Sequence, residues 1–94
     1  MSGIAHIGSM STGHESFQSR PIISGSNNVF VNGIGTSRIG DAWQQHCDDN
    51  SCHNCNQATG SSSVYVNGIP LARVSDATGC GDMILNGSLD TFCG

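Results

Sequence analysis

The sequence contains little charge and no lysine, and this scarcity of cations excludes several classes of partner. Of 94 residues, 11% are charged, and three arginines stand against seven acidic residues, for a net charge of −4. An ordinary globular domain carries about 25% charged residues. Nucleic acids and anionic membrane surfaces are bound through clusters of basic side chains. We therefore expect neither of them to be the partner of this chain.

Strong helix formers are also scarce, and no apolar run approaches the ~18 residues of a membrane-spanning helix. The chain has five alanines, three leucines and one glutamate, but 13 glycines, 14 serines and eight asparagines. Gly, Ser and Asn favour turns over helix interiors. The composition excludes a helical bundle and predicts a single all-β domain over residues 1–94, with short strands and irregular loops. A core of such small residues is expected to need a disulfide or a metal.

Two segments of the chain repeat each other at an offset of 35 residues. Residues 25–42 read GSNNVFVNGIGTSRIGDA and residues 60–77 read GSSSVYVNGIPLARVSDA, with 10 of 18 positions identical. In each copy a β-branched and aromatic triplet precedes Asn-Gly, the strongest short signal for a hairpin, with return strands predicted over 34–39 and 69–74. Residues 87–94 align with residues 60–67 as a third, truncated copy. The repeats predict three hairpin units around a pseudo-threefold axis.

Successive residues of a strand face opposite sides, so alternation divides these side chains into two sets without fixing which set faces the core. The residues expected to pack inward are Val29, Val31, Val64 and Val66. The other set is expected to supply apolar contacts at the base or flank of the domain; its members are Phe30, Tyr65 and Phe92. Cys93 aligns with Val66 and is expected to be packed, as is the single tryptophan, Trp43. His6 lacks a counterpart in the repeats and is expected at the surface.

The cysteines and histidines are candidate metal ligands. Five cysteines, an odd number, fit a closed disulfide framework poorly. The first six residues lack the cationic and apolar regions of a signal peptide, so we expect synthesis in a reducing cytoplasm. In that compartment Cys/His clusters usually bind metal.

Three loops each end in a potential ligand when they are aligned on Ser9, Asp41 and Asp76. The three ligands are His14, His46 and Cys80. Equivalent loops would bring them together on the axis as three corners of a tetrahedron, which is the geometry of structural zinc sites. The fourth ligand would come most simply from the insert 47–56. The same insert could instead hold a disulfide, or its Cys-x-x-Cys could be a redox dithiol, although the βαβ context of such dithiols is missing.

Taken together, these residues resemble the PAAR-repeat proteins, the small conical tips of contractile injection machines, and most nearly the short phage version. The resemblance rests on both repeats and on the tetrad 70–73, Pro-Leu-Ala-Arg, a variant of the motif that names the family. The first copy has Gly-Thr-Ser-Arg in that place, over 35–38, and Ser75 replaces the usual glycine before Asp76.

The resemblance implies a cone with one structural zinc near its apex, bound by three histidines and one cysteine. That count is met here by His14, His46, His53 and Cys80, with Cys52, Cys55 and Cys47 as alternatives for the insert ligand. The broad end is implied to cap a trimeric β-helical spike, with one copy per trimer and no stable homo-oligomer of the tip alone. The tip would then pierce the envelope of the target cell.

The implied role is structural rather than enzymatic, and the implied place is the tail tip of a virion whose parts are made in the host cytoplasm. The same tip in a bacterial type VI secretion system is the alternative. The lack of an extension beside the repeats makes a fused toxin unexpected and favours the phage tail. An alternative hypothesis from a different functional class is a small zinc-dependent hydrolase, which would need an open coordination position and a general base. No carboxylate is placed convincingly as that base, and Glu15 beside His14 is the only hint of one.

Overall fold

The chain folds into short antiparallel strand pairs joined by turns and loops. The computed structural model describes residues 2–13, 17–47 and 51–93, with His53 described in its backbone only, and within these residues it is all-β, without a helix. The strands are β1 Ser2–Gly3, β2 Phe30–Val31, β3 Ile34–Gly35, β4 His46–Cys47, β5 Cys52–His53, β6 Tyr65–Val66, β7 Ile69–Pro70 and β8 Phe92–Cys93. None of the described residues lies in a helix that is long and apolar enough to cross a membrane.

Both Asn-Gly sequences form hairpin turns, as predicted. The φ angles are 51° at Asn32, 78° at Gly33, 55° at Asn67 and 77° at Gly68. Positive φ at both central positions is the requirement of a type I′ turn, which Asn and Gly meet with little strain. The turns join the antiparallel pairs β2–β3 and β6–β7. The return strands are shorter than predicted, because the residues after β3 and β7 bridge to other segments instead of extending the hairpins.

The copy that looks truncated in the sequence is completed by the beginning of the chain. β8 pairs with β1, with Phe92 opposite Gly3 and Cys93 opposite Ser2. In the hairpin β6–β7, Tyr65 stands opposite Pro70 in the equivalent register. β1 therefore takes the position of a return strand. Residues 2–13, which begin with β1, are equivalent to residues 69–80, which begin with β7.

At the centre of the fold, three equivalent positions are joined in a closed cycle of backbone hydrogen bonds. The N–H of Ala5 donates to the carbonyl of Ala72, Ala72 donates to Ser37, and Ser37 donates back to Ala5, over 2.9–3.1 Å. All three residues are completely buried. We call them the central ring. The same cyclic order is repeated in the bridges next to it, which pair Arg38 with Leu71, Arg73 with Ile4, and His6 with Thr36.

Packing explains the glycine that starts each copy, and hydrogen bonding explains the serine that follows it. A Cβ at Gly25, Gly60 or Gly87 would lie 2.6–2.8 Å from a carbonyl oxygen of a neighbouring segment, which is closer than side chains come to backbone. The hydroxyl of the following serine accepts two backbone N–H groups within 3.3 Å, and this fixes the turn that leads into the strand. The serines are Ser26, Ser61 and Ser88.

A shared Arg-x-x-Asp sequence closes the next turn in two of the segments. The Asp41 carboxylate accepts from the backbone N–H and the guanidinium of Arg38, and Asp76 does the same for Arg73. These hydrogen bonds raise the pKa of both guanidinium groups. His6 is the third equivalent, and its N–H donates to the Ser9 hydroxyl over 3.1 Å. His6 is partly exposed, which is consistent with its prediction as a surface residue, but it does have counterparts in the repeats.

The core consists of two small clusters. The larger contains Trp43, which is 2% exposed, with Ile22 and Ile84 against two alanines of the central ring. The second contains Val66, Leu71 and Cys93. The predicted packing of the tryptophan and of this cysteine is confirmed. Burial raises the pKa of the Cys93 thiol.

Alternation holds for the strand residues, but of the two valines that precede them only one packs inward. Val31 and Val66 are buried, and the aromatic residues at the equivalent positions, Phe30, Tyr65 and Phe92, are 58%, 56% and 47% exposed. Val64 is half-buried and packs against the second core cluster, whereas Val29 is 38% exposed, so the predicted inward packing is wrong for Val29. Each strand has only two residues, and the alternation of faces does not extend beyond it.

Candidate metal centre

Three potential metal ligands converge from distant parts of the sequence. One ligand atom each of His46, Cys55 and Cys80 lies within 4.8 Å of the other two. His46 is in β4, Cys55 follows β5, and Cys80 lies in the turn after the second repeat. His46 and Cys55 are buried and Cys80 is half-buried. We call these residues the His/Cys cluster.

The imidazole of His46 is oriented by a backbone contact. Its Nδ1 lies 2.7 Å from the carbonyl oxygen of Gln18. A carbonyl oxygen only accepts, so Nδ1 carries the proton and Nε2 keeps the lone pair that can bind a metal. Histidine ligands in metal proteins are commonly held in this way, with the second ring nitrogen donating to a carbonyl. The ring of Phe17 packs against the imidazole, with 5.0 Å between the ring centroids.

The cysteines form two disulfides. One joins Cys47 to Cys52 across the pair β4–β5, and the other joins Cys55 to Cys80 within the His/Cys cluster. Cys93 is a free thiol. As expected of an odd number, the five cysteines do not all pair: four form two disulfides and Cys93 remains a buried thiol. The Cys-x-x-Cys of the insert is not a bonded dithiol, because its two cysteines have different partners.

The donor set of the cluster fits zinc when its two cysteines are reduced. One imidazole nitrogen and two thiolate sulfurs are the ligand types of structural zinc sites. In the disulfide the two sulfurs are bonded to each other and carry no thiolate charge. The His/Cys cluster therefore has two chemical forms, of which the reduced form suits a metal.

A buried arginine faces one of these sulfurs. The Nη2 atom of Arg20 lies 2.7 Å from Sγ of Cys55, and Nη1 lies 2.7 Å from a carboxylate oxygen of Asp82. The guanidinium also stacks over the ring of Trp43 at 4.9 Å. Burial lowers the pKa of Arg20 while Asp82 opposes that shift, and an arginine still keeps its proton. A fixed positive charge therefore lies against the sulfur.

The carboxylate of Asp82 connects the segments around the site. It accepts from the backbone N–H of Gly13 at 3.1 Å, from Arg20, and from the hydroxyl of Thr78. The same hydroxyl accepts the N–H of Cys80 at 3.2 Å. Asp82 thus holds the loop that precedes position 14, the arginine that faces the cluster, and the turn that carries a cluster cysteine.

Sequence reasoning missed Arg20 and Asp82. A usable signal is present for Arg20, because it is the one arginine that lies outside the repeated Arg-x-x-Asp sequence. Asp82 likewise has no counterpart in the aligned loops. Residues that depart from a repeat are candidates for a task that the repeat does not perform.

The structure brings together two of the predicted ligands, His46 and Cys80, and joins to them Cys55 from the insert. Cys47 and Cys52, which the insert also offers as ligands, are bonded to each other. His14 lies outside the described residues, as does Glu15. His53 stands opposite His46 in the backbone of β4–β5, and its side chain is not described. The complete ligand set therefore stays a prediction.

Comparison with protein families gives a match to the PAAR motif over residues 12–86. No curated protein matches the chain significantly. The matched range contains both full repeats, the His/Cys cluster, Arg20 and Asp82. Because the match covers most of the 94 residues, the chain belongs to the PAAR motif family.

Proposed function

We propose that this protein is the tip of the central spike of a contractile injection machine, that of a phage tail rather than of a type VI secretion system. The observation that carries the spike-tip role is the family match, since the PAAR motif belongs to structural spike-tip proteins and not to enzymes, and the match is compatible with either machine. The protein has extents of 37 × 23 × 23 Å, one long axis and two equal short ones, as a tip requires. The proposed place of action is the end of the tail, and the target is a cell envelope.

The central ring supports a pseudo-threefold axis. Ala5, Ser37 and Ala72 each donate to one member of the ring and accept from another. A cyclic arrangement of this kind gives one chain three equivalent sides. A trimeric spike has a true threefold end, so a single chain matches it, and a second copy at the same end has no place on the axis.

The hairpin ends supply a surface for this contact. Asn32 donates to the Asp90 side chain at 2.9 Å, and Asn67 donates to the Asn28 side chain at 2.8 Å. These bonds tie both Asn-Gly turns to neighbouring units, so the hairpin ends lie close to one another. The equivalent aromatic residues Phe30, Tyr65 and Phe92, which we call the aromatic trio, are exposed beside them. We propose that the aromatic trio and the hairpin edges meet the spike.

The His/Cys cluster supports a structural zinc near the narrow end. We propose His46 and Cys80 as ligands together with His14, and a fourth from the insert, either His53 or Cys55. A bound zinc would cross-link loops that come from distant parts of the sequence. Structural zinc binds model peptides with about 10–16 kcal/mol, which is comparable with the whole stability of a typical domain, about 5–15 kcal/mol.

The test is the stoichiometry of the complex. The chain is co-expressed with a trimeric β-helical spike protein of a contractile phage tail, and the mass of the purified complex is measured. One bound chain adds 9.7 kDa to the trimer. We expect one copy per trimer and little change of affinity with salt, because the proposed surface is apolar and screening acts on charges. Three copies per trimer, or a stable trimer of this chain alone, would contradict the proposal.

Two matched variants locate the surface. Tyr65→Ser changes the aromatic trio, and Leu85→Ser changes a side chain that is also 56% exposed but lies outside the trio. We expect Tyr65→Ser to weaken binding to the spike at least tenfold and Leu85→Ser to leave it unchanged. Equal effects of the two substitutions would place the contact elsewhere.

A further inference from the structure

We propose that Cys55 and Cys80 are an interchangeable cross-link: reduced, they bind a metal together with His46, and oxidised, they form a disulfide that takes the place of the metal. The inference rests on the proposed function only for its biological setting. Its chemistry concerns the isolated chain. The two loops would thus stay cross-linked in a reducing and in an oxidising compartment.

The geometry requires the two forms to exclude each other. The sulfurs that are bonded in the disulfide are the sulfurs that lie within 4.8 Å of the His46 ligand atom. A metal needs them as thiolates, and a disulfide has none. One pair of side chains therefore serves either form and never both at once.

The backbone around the two cysteines is held independently of the cross-link. The carbonyl of Cys55 accepts the N–H of Trp43 at 3.0 Å, and the N–H of Gly79 donates to the carbonyl of Asn56 at 2.9 Å. These bonds keep the insert and the turn before Cys80 adjacent. The exchange between the two forms then needs only rotation and small displacement of side chains.

Arg20 favours the reduced form. Its guanidinium lies 2.7 Å from Sγ of Cys55 and is fixed on its other side by Asp82. Hydrogen bonds are strong when the acceptor is charged, and a thiolate accepts from a cation far better than a neutral disulfide sulfur does. The arginine thus keeps a positive charge directed at the sulfur, which stabilises the thiolate and makes the disulfide reducible.

Small reagents can reach the pair through Cys80. This residue is half-buried and lines a surface pocket of about 420 Å³ with Cys52, Asn54 and Gly79. The free thiol of Cys93 is buried in the second core cluster, and its raised pKa keeps it protonated. Of Cys80 and Cys93, Cys80 is therefore the one that small reagents reach first.

The exchange balances with a peroxide as oxidant. Two thiolate sulfurs give up one electron each and form the S–S bond. Hydrogen peroxide takes up these two electrons and two protons, its O–O bond breaks, and two water molecules form. The cluster releases its metal as the divalent ion. A dithiol reductant reverses the step by thiol–disulfide exchange, returning both thiolates to the site.

The test uses the full chain, purified with reductant and loaded with zinc. Bound zinc is measured by elemental analysis before and after treatment with hydrogen peroxide, and again after reduction with a dithiol. Trypsin cleavage at Arg38 and Arg73 separates Cys55 from Cys80, so a disulfide between fragments 39–73 and 74–94 is visible by mass spectrometry. We expect one zinc per reduced chain, loss of that zinc as the cross-linked fragments appear, and recovery of both on reduction.

Two results would overturn the proposal on the unmodified chain: zinc that is retained while the fragments become cross-linked, or zinc that is lost without a cross-link. The double variant Cys47→Ser/Cys52→Ser is the matched control, because it removes the other disulfide and should leave the exchange intact. The double variant Cys55→Ser/Cys80→Ser should lose zinc binding and the cross-link together. Full zinc binding by this second variant would also overturn the proposal. The mass of the spike complex does not depend on these zinc and cross-link measurements, so it shows independently whether the proposed function fails.

Discussion

The central ring and the His/Cys cluster are built by opposite means. The ring is made of backbone hydrogen bonds that recur at equivalent positions, with Arg–Asp pairs three residues apart on its surface. The cluster is held by side chains that occur once, among them the buried pair Arg20–Asp82, whose side chains are 3% and 0% exposed. A repeated backbone scaffold tolerates changes of side chain. A single buried site depends on each of its members.

The largest expected effect is removal of the metal from the reduced protein. We expect reduced chain to contain one tightly bound zinc, and chelation to lower the midpoint of thermal unfolding more than the substitutions of Arg20, Arg38 and Asp90 described below, because a structural metal supplies folding free energy directly. Elemental analysis and thermal unfolding with and without chelator measure this. Reduced native protein without a transition metal would contradict it.

Substitution of predicted metal ligands should lower stability more than substitution of His6, the histidine next to the central ring. We expect His46→Ala and Cys80→Ala to abolish zinc binding and lower the midpoint of thermal unfolding, and we expect the same of His14→Ala. His6→Ala is the control, since His6 follows Ala5 of the central ring and its Nδ1 lies 2.8 Å from the carbonyl oxygen of Ile7. If His6→Ala is the most destabilising of the four, the alignment of the three loops is wrong.

The two kinds of ion pair allow a direct comparison. Arg20→Gln leaves the buried Asp82 carboxylate without its cation and should reduce the free energy of unfolding by about 3–5 kcal/mol. Arg38→Gln removes an arginine from a more exposed pair, worth about 0–1 kcal/mol. Urea unfolding of both variants at neutral pH measures the difference. Equal losses would mean that the ring and the cluster respond alike.

The smallest effect concerns Asp90, at the hairpin ends. Hydrogen bonds from Asn32, Ser88 and Thr91 lower the pKa of this exposed carboxyl. A carboxyl with a lowered pKa in the folded state stabilises the fold at neutral pH, and this contribution is lost as the pH falls through that pKa. Asp90→Asn should therefore be slightly less stable than the unmodified chain at pH 7. The difference should shrink as the pH falls below the ordinary aspartate pKa of about 3.9 and disappear below the lowered pKa, and a difference independent of pH would contradict this.

Much of the scaffold was determined by the sequence alone, because its signals are local. Asn-Gly sets a turn through the φ angles of two residues, and Gly-Ser sets the entry to each strand through one missing Cβ and one hydroxyl. These requirements act within a few residues, so they are readable from the chain. The buried Val31 and Val66 follow from alternation, which fails at Val29 because the strand is too short to carry it.

Only the tertiary structure decided how distant segments meet. The pairing of β1 with β8 joins the two ends of the chain, and the bond between Cys55 and Cys80 spans 25 residues. The salt bridge from Arg20 to Asp82 has no local signature at either residue. The spacing in the insert does not distinguish His53 from Cys55 as a ligand, because the two residues lie two positions apart in the same segment. Which side chain enters the site depends on backbone contacts made from elsewhere, such as the hydrogen bond from Trp43 to Cys55, and those contacts exist only in the folded chain.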